Sequence, residues 1–398
     1  MRIVQIEDFF HPDAGYQINV LSKVLAEHGH DVTIVCAENL DIFPESLTSF
    51  FGTVGIAERD AAYSERYGVK IVRVPAKGYY SGRTFYSANV YRQIESLNPD
   101  LLFVHGNDSA SGLRYSHRAA GLPFPVVMDS HMLTVATRNR FASVYRSVYR
   151  RVYAPMINKR GIKVIRVQDD PYVIESLGID EANAPYIGFG TDTGLFRADA
   201  QARAAGREKL GIPQDATVVL YAGKLDESKG GMLLAHALLK RFDDPSLVFV
   251  VAGNASGSKA AELEETLSRS ENRVVRLPTH KYPELPALYQ VADLALYPAQ
   301  CSLSFYDVQA TGLPVVVDDG TPVNTERVSR GNGFQFQAGS VEGLRGCIER
   351  YASLGPDARA ALKAASIAYI GTEYSYDNVA RQYERCFEEA IESFKEGK

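Results

Sequence analysis

Segments with strand character alternate with segments of helix character along this chain, and no other feature constrains its fold as strongly. Short β-branched apolar runs indicate buried strands, and stretches with apolar residues at helical spacing, such as 19–28 and 85–97, lie between most of them. In the first half the pattern predicts strands at 2–6, 31–37, 69–75, 101–105, 125–129, 163–167 and 184–189. Such alternation is typical of a parallel sheet that helices cover on both faces.

The same pattern begins again after Phe196 and continues to the end of the chain. It predicts strands at 217–222, 247–252, 273–277, 293–297, 314–317 and 333–336, and helices at 230–241, 260–268, 284–291, 356–369 and 376–394. Residues 38–68 interrupt the first half and indicate an inserted loop with a short helix. A chain of 398 residues accommodates two domains. We therefore expect two doubly wound α/β domains, each binding ligand at the carboxyl ends of its strands.

Composition and charge narrow the class of protein. The chain is 45% hydrophobic and 23% charged, as globular proteins are, and its net charge of −5 argues against a general nucleic-acid binder. Its cysteines are scattered, which favours a reducing compartment over a disulfide framework or a structural zinc site. Met1 leads directly into a strand without a signal peptide, and no apolar run reaches the roughly 20 residues that span a bilayer. We expect a cytoplasmic protein, free or attached peripherally to the cytoplasmic membrane face.

The segment 293–319, "DLALYPAQCSLSFYDVQATGLPVVVDD", indicates a phosphate site. It predicts a strand, a tight loop, a short helix over 303–310, a turn at Gly312 and Pro314, and another strand. The start of such a helix presents unpaired backbone N–H groups to a phosphate. Lys224 and Lys229 flank another predicted strand-to-helix turn, where two cations could neutralise a departing diphosphate. The alternative is that both are solvated loop lysines.

Several segments, in the right order, resemble glycosyltransferase family 4, whose retaining enzymes consist of two facing Rossmann-like domains. They are "HPDAGYQINVLSKVLAEHGHDVTIV", "PYIGFGTDTGLF", "VVLYAGKLDESKGGMLLAHAL", "LPTHKYPELPALYQVADLALYP" and "CSLSFYDVQATGLPVV". The resemblance implies an acceptor-side domain over 1–193 and a nucleotide-sugar-binding domain over 194–375. It also implies that the last segment, 376–398, packs back on the first domain.

The resemblance also assigns roles to residues of the two domains. Gly15 takes the place of two adjacent glycines in a loop against the donor diphosphate, and His131, after the strand "PVVMDSH", lies near the donor sugar and the acceptor. His105 is expected to be structural or on the acceptor side. Each of these three residues also has a purely structural interpretation, as an ordinary turn or a hydrogen-bonded histidine.

In the donor half, Lys224 stands where the family usually has arginine. Ser302 and Leu303 begin the donor helix, and Asp307 takes the place of the second of two glutamates, a contact to ribose hydroxyls. The first glutamate, which in the family contacts the donor sugar, is replaced by Ala299. We expect Gln300, Ser302 or a side chain of the first domain to take over its contact, or the sugar to bind differently.

A basic segment, 138–166, contains no acidic residue. It has two interpretations. With tyrosines at helical spacing it could lie on an anionic membrane or guide a phosphorylated acceptor, or it could be a solvated helix whose tyrosines pack on the sheet.

The function that this resemblance implies is transfer of a hexose, with retention, from a nucleoside diphosphate sugar to a glycan or lipid-linked saccharide, as in polysaccharide biosynthesis. The donor half contains no Asp-x-Asp motif for a donor-bound metal, so we expect no metal and no cofactor. Lys229 and His131 are the candidate catalytic residues. The alternatives are a nucleotide-sugar 2-epimerase of the same architecture and a non-catalytic sugar-binding partner subunit.

Overall fold

The structure, a computed structural model, describes residues 1–48, 50–132, 142–299 and 302–397. The chain divides into two compact units. The first unit comprises residues 1–189 and 376–398, and the second unit comprises residues 190–375. Each unit has its own six-stranded sheet, and every strand pair in these two sheets is parallel. The predicted fold class is therefore confirmed.

The sheet of the first unit has the strand order β3-β2-β1-β6-β7-β8. Its strands are β1 Arg2–Ile6, β2 Asp31–Ala37, β3 Lys70–Val74, β6 Leu101–Val104, β7 Val126–Ser130 and β8 Lys163–Arg166. The helices of this unit are α1 Gln17–Glu27, α2 Glu45–Thr48, α3 Ile56–Tyr67, α4 Ala88–Ser96, α5 Ala110–Arg118, α6 Ala142–Lys159 and α15 Tyr376–Glu396.

The centre of this sheet lies between β1 and β6. Strands β2 and β3 follow β1 on one side, and β6 to β8 continue on the other, so the winding direction reverses there. Ile3 pairs with Leu101 and Ile6 with Val104 across this boundary, and all four side chains are buried. In open α/β sheets such a reversal opens a crevice at the carboxyl ends of the two central strands, where ligands bind.

A β-hairpin that the sequence analysis did not predict stands beside this edge. Strands β4 Ala76–Tyr80 and β5 Arg83–Tyr86 pair antiparallel. The tip residues Ser81 and Gly82 both have positive φ, 52° and 79°, which suits a two-residue hairpin turn. The predicted helix over 85–97 was therefore placed too early, because its first residues belong to β5.

Two other predictions of the first half need correction. Residues 184–189 do not form a strand, and only an isolated bridge joins Tyr186 to Arg166. The interrupted region 38–68 contains more helix than expected, because α3 alone has 12 residues. Gly55 and Gly68, both with left-handed backbone, flank this helix.

The last helix, α15, completes the first unit. Its buried face carries Tyr383 and Phe387, whose rings pack against Phe103 of β6 at centroid distances of 5.7 and 5.3 Å. Tyr383 also accepts a hydrogen bond from Gln17 of α1. At the exposed edge, Glu384 bonds His28 at 2.7 Å. The helix thus supplies core side chains to a sheet whose strands all lie more than two hundred residues earlier in the chain.

The second unit repeats the topology of the first, with strand order β11-β10-β9-β12-β13-β14. Its strands are β9 Thr217–Ala222, β10 Leu247–Ala252, β11 Arg273–Leu277, β12 Leu294–Tyr297, β13 Val315–Asp318 and β14 Gly333–Phe336. Its helices are α7 Ala200–Lys209, α8 Gly231–Leu239, α9 Ala260–Ser268, α10 Leu285–Gln290, α11 Ser304–Ala310, α12 Pro322–Arg327, α13 Val341–Ala352 and α14 Pro356–Tyr369. Here the reversal lies between β9 and β12.

The two ends of the second unit meet. Thr191 pairs with Ser375 in an isolated parallel bridge, and its N–H donates to the Tyr374 carbonyl at 2.8 Å. The division between the units falls after Phe189, four residues before the predicted boundary. The functional labels of the two halves stay predictions. Within the described residues, no helix has the length and apolar character needed to cross a membrane.

Candidate functional site

A pocket of about 650 Å³ lies in the first unit, at the carboxyl ends of β1, β6 and β7. Glu7 and Asp8 follow β1, His105 and Asp108 follow β6, and His131 follows β7. The tip of the β4–β5 hairpin lines another side. This is the crevice that the strand order predicts, so the fold gathers here side chains that are more than a hundred residues apart in sequence.

Two histidines share one buried carboxylate at the base of this pocket. The Asp129 side chain is fully buried, and its Oδ2 lies 2.8 Å from His105 Nδ1 and 3.2 Å from His131 Nε2. Burial alone would raise the pKa of Asp129, but the two imidazoles outweigh it and hold this pKa well below its usual range. Burial would likewise lower the pKa of His131, but the Asp129 carboxylate raises it. His131, the predicted catalytic histidine, therefore lies at the pocket with a pKa above its ordinary value.

The His105 side chain is held on both ring nitrogens. Its Nδ1 faces Asp129 and its Nε2 lies 2.9 Å from the Gln5 side-chain oxygen. It lines the pocket although only 4% of it is exposed. These contacts fit the predicted structural or acceptor-side role.

Three more carboxyl groups surround this centre. Burial raises the pKa of Asp8 to about 7, although the Thr84 N–H donates to its Oδ2 at 3.0 Å and so lowers it. Burial also raises the pKa of Glu7, against the opposing effect of His105, and that of Asp108, against the opposing effect of Arg83. Asp8 can therefore exchange a proton with a ligand near neutral pH.

Arg83 is tied to one wall of the pocket. Its Nε donates to the Asp108 carbonyl at 2.6 Å, one of its terminal nitrogens lies 3.5 Å from the Asp108 carboxylate, and its guanidinium lies 5.0 Å from the centre of the Tyr145 ring. The β4–β5 turn places it there. Its charge is thus partly neutralised by Asp108.

His105, Asp129 and His131 could also hold a metal ion, because one ligand atom from each lies within 4.8 Å of the others. In this structure Asp129 Oδ2 is hydrogen-bonded to both histidines. The predicted independence from metals remains a prediction.

In the second unit the structure brings the predicted donor loops together at the β9–β12 reversal. Gly230, with φ of 72°, caps α8 directly after Lys229. A Cβ on Gly230 would lie 3.0 Å from Ala299 Cβ and 3.0 Å from Pro298 Cβ. Only a glycine therefore fits this contact, and Ala299, which replaces the family's glutamate, lies beside the lysine turn.

The two predicted lysines differ in setting. Lys224 is exposed just after β9, where the Tyr221 hydroxyl donates to its carbonyl at 2.6 Å. Lys229 is half-buried, and its backbone N–H donates to the Asp226 carboxylate at 3.0 Å. Asp226 thereby fixes the turn from which the Lys229 side chain extends.

The start of the predicted donor helix is one residue later than expected. Leu303 is the N-cap residue of α11 and 46% exposed. Ser302 bonds Ser304 through their hydroxyls at 2.6 Å, and Ser304 in turn lies 3.2 Å from the Tyr297 hydroxyl. Gln300 and Cys301 lie outside the described residues. Ser302 and Leu303 therefore lie in the loop between β12 and α11, and their role at a phosphate remains a prediction.

Asp307 lies one turn further along α11 and is held by a residue at the start of the unit. The Thr191 hydroxyl donates to its carboxylate. Burial raises the pKa of Asp307 to about 7, the Thr191 bond lowers it, and nearby Asp192 raises it further. Its predicted ribose-binding role would require this carboxylate to accept from a ligand in addition to Thr191.

Gly15 lies in the loop between β1 and α1, next to Tyr16, the N-cap residue of that helix. The loop is braced by Asn19, whose side-chain amide donates to the His11 carbonyl at 3.0 Å. None of the described contacts tests the predicted role of Gly15 next to the donor diphosphate.

The basic segment contains the whole of α6 and continues through Arg160 into β8, whereas Arg138 and Arg140 lie outside the described residues. Its tyrosines face inwards, since Tyr149 is fully buried and Tyr145 and Tyr153 pack on the core. The outward face instead carries three valines one turn apart: Val144, Val148 and Val152 are 61%, 48% and 43% exposed. The tyrosines therefore do not form the predicted membrane-facing surface.

The pocket carboxylates Glu7, Asp8 and Asp108 were not singled out from the sequence. A signal was present, because "QIEDFF" places two acidic residues directly after the first strand and Asp108 follows the strand that ends before His105. Arg83 gave no such signal, because the hairpin that carries it was not predicted.

Two family models match the chain and together cover more than half of it. The description "Glycosyl transferase 4-like domain" matches residues 14–158 and "Glycosyl transferases group 1" matches residues 216–353. Gly15 and His131 fall in the first match, and the other five predicted donor residues fall in the second.

Among curated proteins, the chain is similar to the D-inositol 3-phosphate glycosyltransferase of Corynebacterium aurimucosum. The two are 28% identical over 252 residues, which is 59% of this chain and 58% of the relative. The chain spans about half the length of the curated relatives it matches.

Among solved structures, a glycosyltransferase from Rickettsia africae superposes with a TM-score of 0.71 at 16% identity, covering 98% of both chains. Anabaena Alr3699/HepE, solved in complex with UDP, gives a TM-score of 0.71 at 16% identity and covers 98% of this chain and 100% of its own. The chain thus belongs to the glycosyltransferases of the family 4 type, and its two α/β domains have the glycosyltransferase B-type fold.

Proposed function

We propose that the protein is a retaining glycosyltransferase that moves a hexose from a nucleoside diphosphate sugar to a glycan or a lipid-linked saccharide. The observation that carries this proposal is the meeting of the Lys229–Gly230 turn with Ala299 at the reversal of the second sheet. It lies within the group 1 match, and the Anabaena structural neighbour was solved with UDP and with UDP-glucose.

In this proposal the second unit binds the donor. Lys229 and Lys224 neutralise the diphosphate, and they matter most as negative charge develops on the leaving group. Ser302 and Leu303 place backbone N–H groups at the same edge, and Asp307 accepts from the ribose hydroxyls. No metal and no cofactor takes part, because the lysines supply the compensating charge.

The first unit binds the acceptor in the pocket beside His131. Asp129 bonds His131 Nε2, so Nδ1 is the nitrogen that remains to donate a hydrogen bond to a sugar oxygen. Loss of the family's first glutamate at Ala299 shifts part of the sugar recognition to other groups. In the front-face reaction that the resemblance implies, the leaving diphosphate takes the proton of the acceptor hydroxyl. The anomeric configuration of the transferred sugar is therefore retained.

We further propose that α6 attaches the protein to the cytoplasmic face of an anionic membrane. Its exposed valines form an apolar stripe, and Arg146, Arg150 and Arg151 lie on the same helix. An exposed apolar stripe on a helix rich in arginine is a feature of interfacial helices.

The test of the function is a thermal-shift screen with nucleoside diphosphates and nucleoside diphosphate sugars, followed by turnover. A ligand that binds only the folded protein raises its melting temperature. We expect stabilisation by a nucleoside diphosphate, release of that diphosphate when an acceptor is added, and a product with the anomeric configuration of the donor. An inverted product would contradict retention, and stabilisation without turnover on any saccharide would favour a non-catalytic partner.

One observation favours the 2-epimerase as a second candidate. The pocket of the first unit holds acid–base groups of the kind that such an isomerase needs, including Asp8, with a pKa of about 7, and His131, whose pKa is raised by Asp129. Incubation with the donor sugar alone separates the two functions. An epimerase converts the sugar to its 2-epimer while the nucleotide remains attached, whereas a transferase does not.

A further inference from the structure

Another pocket, of about 420 Å³, lies in the second unit at the amino ends of β12 and β13. Asp293 directly precedes β12 and Pro314 directly precedes β13, and both residues line this pocket. The predicted donor loops follow β9 and β12, and because the strands are parallel those loops lie at the opposite edge of the sheet. The pocket is therefore distinct from the predicted donor site, and its volume is in the range that accommodates a small ligand.

Two cations of α14 line this pocket, and neither has a carboxylate partner among the residues that the structure describes. Arg359 and Lys363 lie one helical turn apart on the same face of the helix. Arg359 donates to two backbone carbonyls, at 2.6 and 3.0 Å, and to the Thr217 hydroxyl at 3.0 Å, and none of these acceptors is charged. Lys363 forms no hydrogen bond or ion pair within the described ranges. Like charges at this spacing repel each other, so an anion beside them would be stabilising.

The two acidic residues of the pocket are compensated within the fold. Asp293 accepts from Arg203 and also, at 2.8 Å, from Arg207, so one carboxylate is shared by two guanidinium groups. Asp199 is the N-cap residue of α7 and accepts two backbone N–H groups of that helix, each at 2.9 Å. An anionic ligand would therefore meet no uncompensated carboxylate from either residue.

A buried tyrosine offers an unpaired donor to the same pocket. Tyr351 of α13 is only 3% exposed, and its ring packs in the core against Phe334. Within the described part of the chain its hydroxyl forms no hydrogen bond. Burial raises the pKa of Tyr351 to about 12, Asp293 adds to this effect and Arg359 opposes it, so the hydroxyl lies on the pocket side of the ring and stays protonated at neutral pH. A buried hydroxyl without a partner is costly, and a hydrogen bond to a ligand would remove that cost.

We propose that this pocket binds the phosphate group of a small molecule, with Lys363 and Arg359 as its counter-charges and the Tyr351 hydroxyl as a further donor. Ammonium and guanidinium groups donate hydrogen bonds and accept none, so the ligand group has to be rich in acceptors. A phosphate monoester supplies three acceptor oxygens and close to two negative charges, which matches two uncompensated cations better than a single carboxylate does. The proposal goes beyond the proposed function and does not depend on it.

The experiment is equilibrium dialysis of the full chain against radiolabelled inorganic phosphate, at slightly alkaline pH and in a chloride buffer of constant ionic strength. Saturating UDP is present, so that a donor site at the loops after β9 and β12 is occupied. We expect saturable binding that D-ribose 5-phosphate displaces and D-ribose does not. Displacement at lower concentration by ribose 5-phosphate than by unlabelled phosphate would assign the site to a phosphorylated metabolite, and equal displacement would assign it to inorganic phosphate.

Two variants assign the binding to these side chains. Lys363→Met keeps the aliphatic stem that packs over Gly312 but removes the charge, and it should weaken phosphate binding about tenfold or more. Tyr351→Phe keeps the ring and removes the hydroxyl, and it should weaken binding about threefold or more. The matched control is Lys240→Met, at an exposed position of the same unit, which should leave binding unchanged. Thermal unfolding of each variant checks that the fold is retained.

Three results would each overturn the proposal: no saturable phosphate binding in the presence of UDP, displacement by ribose as effective as displacement by ribose 5-phosphate, or unchanged binding in Lys363→Met. Loss of phosphate binding in Lys229→Ala together with normal binding in Lys363→Met would place the phosphate at the predicted donor turn and would also contradict the proposal. UDP binding, measured on the same samples, tests the proposed function separately, so either proposal can fail while the other stands.

Discussion

At the scale of single residues, the two units differ in the charged side chains at the carboxyl edges of their sheets. In the second unit, Lys224 and Lys229 stand at the carboxyl edge of the sheet, where an anionic diphosphate is expected. In the first unit, the same edge carries Glu7, Asp8 and Asp108. The two edges therefore carry different charged side chains although their strand order is the same.

Replacing Lys229 with alanine should weaken donor use at least tenfold while the fold survives. A hydrogen bond to a charged group is worth about 1.5–3 kcal/mol, and a half-buried loop lysine contributes little to the core. Lys224→Arg should be tolerated, because arginine is usual there in the family. The measurements are donor affinity and turnover, with exposed Lys240→Ala as the control. Near-normal donor use by Lys229→Ala would show that this turn is not part of the donor site.

Replacing Asp307 with asparagine should have opposite effects on binding and stability. The pKa of Asp307 is about 7 in the folded chain against an ordinary value of 3.8, chiefly because of burial. The folded state therefore holds a proton that the unfolded chain has released, and stability is lost as the pH rises through this window. Asparagine cannot ionise, so the variant should lose less stability than the parent between acidic pH and pH about 8.

The readouts for Asp307→Asn are chemical denaturation across this pH range and nucleotide affinity. Nucleotide binding should weaken, because asparagine offers one acceptor oxygen to both Thr191 and the ribose. The matched control is Asp243→Asn at an exposed position, which should leave both properties unchanged. Identical pH dependence in variant and parent would show that Asp307 does not titrate in this window.

At the scale of elements, turns and helix caps position the side chains of the two candidate sites. The hairpin turn at Ser81 and Gly82 carries Arg83 to the first pocket, and Gly230 lets the start of α8 approach Ala299. Helix α6 is two-sided: its tyrosines pack on the core and its valines are exposed to solvent. The hairpin, the start of α8 and the outer face of α6 thus each carry residues that the proposed function uses.

The outward face of α6 should bind anionic vesicles. We expect the chain to co-sediment with vesicles that contain anionic lipid and to be released as salt rises, because exposed charges are screened beyond about 10 Å at roughly 0.1 M salt. A triple variant, Val144→Ser with Val148→Ser and Val152→Ser, should bind less, whereas Val323→Ser, at another exposed valine, should not change binding. Equal binding to neutral vesicles, or none to either kind, would favour a solvated helix.

At the scale of the whole molecule, each unit is a complete doubly wound sheet with its own core and its own reversal point. The first unit is not continuous in sequence, because α15 supplies Tyr383 and Phe387 to it. The second unit is closed at the bridge between Thr191 and Ser375.

The integrity of the first unit should depend on α15. Phe387 is fully buried against Phe103, so Phe387→Ala should destabilise the protein by about 3–5 kcal/mol, the typical cost of emptying a buried phenylalanine site. Thermal or chemical unfolding measures this, and exposed Glu389→Ala on the same helix is the control. A loss below about 1 kcal/mol would show that the helix is not part of the core.

The sequence alone determined the repeated strand–helix order, because buried parallel strands are continuous β-branched runs. The bounds of β1, β2, β9, β10, β11 and β14 were predicted to the residue. The loops after β9 and β12 were also recognised from the sequence, since a strand, a loop and a helix in succession form a local pattern; their role in donor binding remains a prediction.

Only the tertiary structure decided the rest. The hairpin turn requires a positive φ at Ser81, and a serine in the sequence does not indicate that conformation. Residues 184–189 look like a strand in sequence, but in the structure only Tyr186 pairs with the sheet, through an isolated bridge to Arg166. The acidic pocket joins groups that follow three different strands, and each carboxyl group is unremarkable in its own segment. Their shared burial raises their pKa values, and burial is a property of the fold and not of any single segment.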